Sequence, residues 1–449
     1  LIVCPKSVMV NWRTEIDKTL PNKALIYSGS PAQRQKLKLE LDKYHIIITS
    51  YSMMKEFEDF KADQLIFDEA HMLAHSSTIM FKQARKLVTS NITSGIQLLT
   101  ATPILHKPKD LWTLVWLLYP EVAGDFWDWK NKYEEVIRSM EREVPRKDKN
   151  GEILRGDRGQ VLYKTITIPL ETKIRNLDHL HTRISPFTIR VKRDPYVNFE
   201  DSVDIITVPM KSRQEELYRK MKVNVLVELD QGDLSIPNVL SQMTRLLQVA
   251  EGCFNFSGCS YQDSGKLDYI IQEIENSEDK LIVWSRFKPI TQLLYEKYKN
   301  EGVLFNGDLT PNQKTYSLWA FQGVETEEDA ATFQSIRGKG KFEPGQARLL
   351  FGTIDKQSSL GFNLHSCSRQ IFSSFSWNGN INLQTADRIK RINQQSEMVQ
   401  TTFLVSERTI DEPALELVLY NLKNCLEVLD GKGDVNYSKV SDLIRFLRR

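Results

Sequence analysis

The sequence predicts an α/β protein of two lobes, each a parallel sheet flanked by helices, with helical insertions between them. Three observations carry this. Short apolar runs alternate with helix-like polar segments over residues 1–120, the same rhythm returns late in the chain, and the stretch between is mostly helical in pattern. Apolar runs without polar alternation are what strands buried on both faces require. The expected boundaries are 1–185 for the first lobe, with an insertion from about 121, then 186–260 for a helical connection. The second lobe is expected over 261–449, with an insertion at about 323–346.

Taken in order, "LIVC" ahead of Pro5 reads as a short strand inside a sheet, without the charged head and long apolar stretch of a signal peptide. Leu1 is not methionine, so the chain is expected to begin in mid-domain. "ALIY", "HIIITS", "QLIF" and "IQLLT" supply further strands, and "PAQRQKLKLELDKY" and "STIMFKQARKLVTS" supply helices. The charged stretch "SMEREVPRKDKNGEILRGDRGQ" reads as an exposed hairpin or loop. "KLIVWS", "GVLFNG", "ARLLFGT", "RQIFSSF" and "TTFLVS" build the second lobe. The insertion "GVETEEDAATFQSIRGKGKFEPGQ" within it starts acidic and ends basic.

At 449 residues each lobe is long enough to bury its own core. No run approaches the roughly 18 apolar residues of a membrane span, and a formal charge of +2 neither supports nor excludes a nucleic-acid partner. The five cysteines are odd in number and form no C-x-x-C pair, so neither a disulfide framework nor a zinc site is indicated, and a reducing, intracellular setting fits. No histidines form an H-E-x-x-H pattern, and only His71 stands in a motif.

In "DQLIFDEAH" a mostly apolar strand delivers Asp68 and Glu69 to its end, where α/β sheets place ligands. A carboxylate at Asp68 can hold Mg²⁺ through its waters, the metal bridging nucleotide β- and γ-phosphates, while Glu69 orients or deprotonates the attacking water. The same pair also suits a helix N-cap followed by a first-turn acid.

The wider set of motifs resembles the Swi/Snf class of helicase-superfamily-two ATPases, translocases on double-stranded DNA built from two RecA-like lobes. The resemblance runs in order along nearly the whole chain. It is carried by "LIVCPKSVMVNWRTE", "IIITSYSMM", "DEAH", "LLTATPILHKPKDLWTLVWLLYP", "PFTIRVKRD", "SGKLDYI", "KLIVWSRF" and "SWNGNINLQTADRIKRINQ". The last is the most specific, with fixed residues at fixed offsets. There are departures. Ala101 replaces a glycine of T-G-T-P, Leu105 and His106 stand where Q-N is usual, and Ser358 and Ser359 replace a glycine pair ahead of Gly361. Gly379 replaces the proline of W-N-P, and Asn393 the glycine of R-I-G-Q.

The resemblance implies ATP and Mg²⁺ as cofactors, with His71, Gly361 and Gln394 beside Asp68 in the nucleotide site. It also implies that Arg388 and Arg391, three apart and expected on one helical face, act on the γ-phosphoryl group. Lys390 is expected to be ordinary surface. Lys6, Thr49, Ser50, Tyr51, Thr100, Ser285, Arg286, Thr353 and Trp377 are the candidates for gripping duplex DNA by its phosphates, independently of sequence. Trp12 and Trp112 are expected in packing. No G-x-x-x-x-G-K-[ST] loop is present, so the chain is expected to be a fragment that starts just past it and does not turn over ATP by itself. With no chromatin-reading module following the core, a compact bacterial or viral member is expected. Two other readings stay open: a catalytically inactive DNA-binding scaffold, and a strand-separating DNA or RNA helicase, against which the W-N and R-I-x-Q elements count.

Overall fold

The computed structural model describes all residues other than 91–94, 101–107, 147–153, 156–159, 192–197, 231–235, 253–262, 339, 355–361, 392, 417, 420–435 and 438–449. Two parallel sheets flanked by helices carry the chain. The first holds β1 (Ile2–Cys4), β2 (Ala24–Tyr27), β3 (Ile46–Ser50), β4 (Gln64–Asp68) and β5 (Gly95–Leu99) in the order β2-β3-β1-β4-β5. Parallel neighbours need crossovers. Helices Met9–Thr19, Pro31–Lys38 and Ile79–Ser90 supply them. The second of these starts on a capping box: Ser30 accepts from the Gln33 amide, and the Gln33 side chain accepts from the Ser30 amide.

An antiparallel hairpin of β6 (Glu134–Pro145) and β7 (Tyr163–Ile174) brackets the charged stretch 139–160, of which 147–153 and 156–159 lie outside the described residues. The connection expected to be helical holds helices Ser212–Asp230 and Ile236–Glu251, and a strand besides. Residues Glu200–Val208, rich in β-branched side chains, form β8, a nine-residue strand paired in parallel along its whole length with β13 (Met398–Ser406). Between them in sequence lie β9 (Leu281–Ser285), β10 (Gly302–Phe305), β11 (Leu349–Thr353) and β12 (Arg369–Phe372), giving a sheet in the order β10-β11-β9-β12-β13-β8. A short β14 (Asn436–Tyr437) adds to β7. The acidic-to-basic insertion contains helix Glu327–Arg337, capped by the Thr326 side chain.

The contacts within the chain gather into two compact units. Residues Leu1–Met53 and Arg190–Leu419 belong to one, and Met54–Ile189 to the other. In the larger unit Leu267, Ile270, Val283, Leu294, Phe351 and Leu404 pack between helices and sheet, all at most 3% exposed. Each such buried side chain contributes about 1.5–3 kcal/mol. Trp284 is fully buried on β9, and its indole N–H donates to Gln370 Oε1 at 3.0 Å. Its ring occupies the space a Cβ on Gly352 would need, 2.1 Å away, so only glycine serves there on β11. The C-terminal end of β9, at Ser285 with Arg286 following, is thereby fixed.

Candidate functional site

The register of β4 against β5 decides the geometry around Asp68. Asp68 pairs with Leu99, so Thr100 comes off its strand beside the turn that Glu69 begins. Glu69 adopts left-handed backbone, φ 53° and ψ 45°, at the start of the short helix Ala70–Leu73. A non-glycine residue there costs about 1–2 kcal/mol and turns the chain sharply. Asp68 Oδ1 accepts the Glu69 amide N–H at 2.9 Å. Glu69 Oε2 lies 3.1 Å from His71 Nδ1, and the same nitrogen lies 3.4 Å from Thr100 Oγ1. A proton on Nδ1 lets the ring address both oxygens at once. Asp68, Glu69, His71 and Thr100 are thus brought together, all half-buried.

Among the described residues no three His, Cys, Asp or Glu side chains gather to cage a metal. Magnesium carried by a nucleotide needs only one or two carboxylates, its remaining positions being waters and phosphate oxygens. A half-buried carboxylate at the end of a parallel strand fits that requirement.

The arginines do not sit on a helix. Helix Gly379–Ala386, opened by the Asn378 side chain, ends just before them, and residues 387–389 form turns. The expected shared helical face is therefore corrected. The Arg388 carbonyl accepts from the Leu364 amide at 2.9 Å, which diverts it from helical pairing. The Arg388 side chain is buried; Nη1 donates to the Phe362 carbonyl at 3.1 Å and the guanidinium lies 5.5 Å from the Phe362 ring centroid. Arg391 is half-buried. Lys390 is also corrected: it is buried, with Nζ 2.7 Å from the Asp201 carboxylate on β8, because the turn faces it into the sheet edge. Gln394 is engaged locally, its Nε2 donating to the carbonyls of Cys367 and Ile389 and its Oε1 accepting from the Ser396 amide. Gly361 lies outside the described residues, as do Ala101, Leu105, His106, Ser358 and Ser359.

The DNA candidates divide. Lys6 is exposed. Thr49, Ser50, Tyr51, Ser285 and Thr353 are buried. Thr49 donates to the Tyr27 carbonyl at 3.3 Å, Thr353 to that of Phe305 at 3.5 Å, and Ser50 bonds Ser52 at 2.9 Å. In this structure these hydroxyls are engaged by neighbouring protein atoms. Arg286 and Trp377 are half-buried, the guanidinium 5.9 Å from the Trp377 ring centroid. Arg286 Nη1 and Trp377 Nε1 are buried donors without an acceptor among the described residues. Trp112 packs as expected, against Phe81 and Phe126, its indole N–H donating to the Gly124 carbonyl at 3.1 Å.

Sequence reasoning missed a buried polar cluster beneath Arg286. Glu251, at the end of helix Ile236–Glu251, is fully buried and its Oε1 accepts from Ser285, Ser373 and Ser374 at 2.7, 2.5 and 2.7 Å. Burial pushes its carboxyl up, against three hydroxyls and the Lys266 charge that favour the ionised form. The signal lay in periodicity: Met243, Leu247 and Glu251 recur four apart, and the first two are buried.

A family model for the SNF2-related domain matches residues 1–254, more than half of the chain. The chain belongs to the SNF2-related domain family. Among relatives, it is 23% identical over 493 residues to the Arabidopsis thaliana ISWI chromatin-remodeling complex ATPase CHR11, covering 99% of this chain and 40% of that protein. It is 22% identical over 454 residues to the uncharacterized ATP-dependent helicase MG018 of Mycoplasma genitalium, covering 98% of this chain and 38% of that one. The SNF2-related chain thus spans about 40% of the length of the curated relatives it matches. The solved Sulfolobus solfataricus SWI2/SNF2 ATPase core in complex with dsDNA aligns with 93% of the chain and 79% of its own, at 22% identity and a TM-score of 0.38. Among the described residues no helix is long and apolar enough to cross a membrane.

Proposed function

We propose that this SNF2-related chain is the motor part of an ATP-driven translocase that travels on duplex DNA and holds its backbone without reading its sequence. The observation that carries the reading is the coupling of Glu69 through His71 to Thr100. It ties the acidic strand end to the neighbouring strand's exit, as a site that both activates water and reports on a bound phosphate requires. In this reading Asp68 takes Mg²⁺ through water, and the metal supplies charge neutralisation on the β- and γ-phosphates. Glu69 orients the attacking water and accepts its proton; His71 holds that carboxylate in place. Arg391 donates to the γ-phosphoryl oxygens, a task for a permanently charged guanidinium. Arg388 keeps the turn that carries it in shape.

Arg286 and Trp377 are the proposed grip on DNA. Their two buried donors lack acceptors among the described residues, and a phosphate oxygen would satisfy them. The sequence contains no G-x-x-x-x-G-K-[ST] segment, and the reading places turnover in a polypeptide that also supplies one. Triplex displacement, which reports travel along an intact duplex, tests the proposal in such a polypeptide. Displacement without unwinding of a forked duplex is expected. Efficient fork unwinding, or preference for single-stranded RNA, would replace this reading with a strand-separating helicase; duplex binding without any nucleotide turnover would replace it with a scaffold.

A further inference from the structure

We infer that Glu251 is a positioning residue: through Ser374 and Ser285 its one carboxylate oxygen holds the main chain at Arg286 and Phe287, and so sets the Arg286–Trp377 pair in place for a phosphate. The inference rests on the duplex-DNA reading for what the pair binds, and on the hydrogen-bond geometry alone for how the pair is held.

Ser374 Oγ donates to Glu251 Oε1 at 2.7 Å and accepts the Arg286 amide N–H at 2.9 Å. Ser285 Oγ lies 2.7 Å from the same Oε1 and accepts the Phe287 amide N–H at 2.8 Å. Two amides of the segment that follows β9 are therefore reached from one oxygen, each through one serine. Ser373, third on that oxygen, fixes the start of the segment that leads to Trp377, and its carbonyl accepts from Lys266 Nζ at 2.7 Å. The two strand exits that carry Arg286 and Trp377 are thus joined beneath the surface at a single atom.

Packing alone gives no reason for an acid at this place. A carboxyl that is fully buried costs stability, and here Oε2 is buried without a hydrogen-bond partner among the described residues. An apolar residue would fill the volume without that cost but would leave three serine hydroxyls with fewer acceptors and the two amides with unanchored ones. What the acid supplies is an oxygen that accepts several hydroxyls at once, which sets the orientation of each. Arg286 itself is pulled from water by this arrangement, and burial lowers the pKa of its guanidinium. Its guanidinium is half-buried, and Nη1 has no acceptor among the described residues.

The test uses the full chain and its Glu251→Gln, Glu251→Ala and Ser374→Ala variants, with two readouts. Amide hydrogen exchange over residues 284–290 reads the positioning directly, and titration with a duplex oligonucleotide reads its consequence. Glu251→Ala should speed exchange at Arg286 and Phe287 while leaving β11 protected, and should weaken duplex affinity by roughly tenfold. Glu251→Gln, which retains an acceptor oxygen, should restore both. Ser374→Ala should expose the Arg286 amide and leave Phe287 protected. Parental exchange at Arg286 in a folded Glu251→Ala overturns the inference. So does a Gln variant as damaged as Ala, which would assign Glu251 to a bulk electrostatic role toward Lys266. If Glu251→Ala does not fold, Ser374→Ala decides, and parental protection of Arg286 in it overturns the relay. A parent that fails to bind duplex removes the DNA reading, and the exchange pattern still supports or overturns the positioning by itself.

Discussion

Lys266 Nζ lies 2.5 Å from Asp411 Oδ2, and both side chains are sealed from solvent. The lysine comes from the first turn of helix Gly265–Glu275, whose preceding Ser264 caps it by accepting from the Leu267 amide. A Cβ on Gly265 would meet the Pro209 carbonyl oxygen at 2.1 Å, so serine, glycine and lysine each have a separate structural reason at consecutive positions. The aspartate also accepts the Ser406 amide N–H at 3.1 Å, joining this pair to the end of β13.

Removing one partner of such a pair strands the other charge in a dry interior. Lys266→Met is expected to cost about 3–5 kcal/mol, and the double variant Lys266→Met, Asp411→Leu to recover a large share of it. Urea unfolding of the three proteins measures this. A double variant no more stable than the single one would show that the pair organises its neighbours, Ser373 and Ser406, more than it neutralises itself.

Glu251 gives stability a pH dependence whose sign is fixed by its environment. Burial raises the folded carboxyl above its ordinary value of 4.5. The folded state then binds the extra proton, and the contribution is fully present below that ordinary value and lost as pH rises through the folded value. Glu251→Gln cannot titrate. Its stability relative to the parent should therefore increase with pH from about 4.5 upward, read as the difference in urea midpoint at successive pH values. A difference that stays flat would mean the acid remains ionised in the fold.

The sheets were legible because buried parallel strands write themselves as uninterrupted apolar runs, and every such run, from "LIVC" to "TTFLVS", became a strand. β8 was not, because it lies in a stretch read as helical overall, and its Val203 and Ile205 face solvent at an edge where alternation is the only cue. Asp68, Glu69, His71 and Thr100 were legible as motifs, and strand register alone brings them together. The arginine turn was misread for a different reason: tertiary bonds from Leu364 to the Arg388 carbonyl and from Lys390 to Asp201 override the helical spacing, and neither partner is near in sequence. Glu251 escaped notice because its spacing from Met243 and Leu247 marks only a shared helix face; its meaning comes from serines more than thirty residues away.

In a polypeptide that supplies a phosphate loop, Glu69→Gln should abolish phosphate release while leaving ATP binding near the parental level, since on the proposed reading only the carboxylate that activates water is lost. His71→Ala should also slow turnover, by a smaller factor on the order of 10–100, because Glu69 keeps its chemistry and loses its support at Nδ1. Single-turnover kinetics separate the two. Equal effects would make His71 a direct participant.

The last prediction separates two arginines that the motif treats alike. Arg388 is buried, bonded to the Phe362 carbonyl and lying against the Phe362 ring, whereas Arg391 is half-buried. Loss of Arg388 empties a buried site and leaves the half-buried Phe362 without that donor and ring contact, so Arg388→Ala should destabilise the fold by about 1–3 kcal/mol. Arg388→Lys should not restore it, because an ammonium cannot lie flat on a ring while donating sideways. Arg391→Ala should barely change the urea midpoint. In the loop-bearing polypeptide it should nevertheless cost on the order of a thousandfold in turnover at unchanged duplex affinity, as expected of a guanidinium that acts on the phosphoryl transition state and not on the track. Triplex displacement should fail with it. If instead Arg388→Ala keeps parental stability and loses turnover while Arg391→Ala hydrolyses normally, the roles are reversed, and the buried arginine must leave Phe362 during the cycle to reach the phosphate.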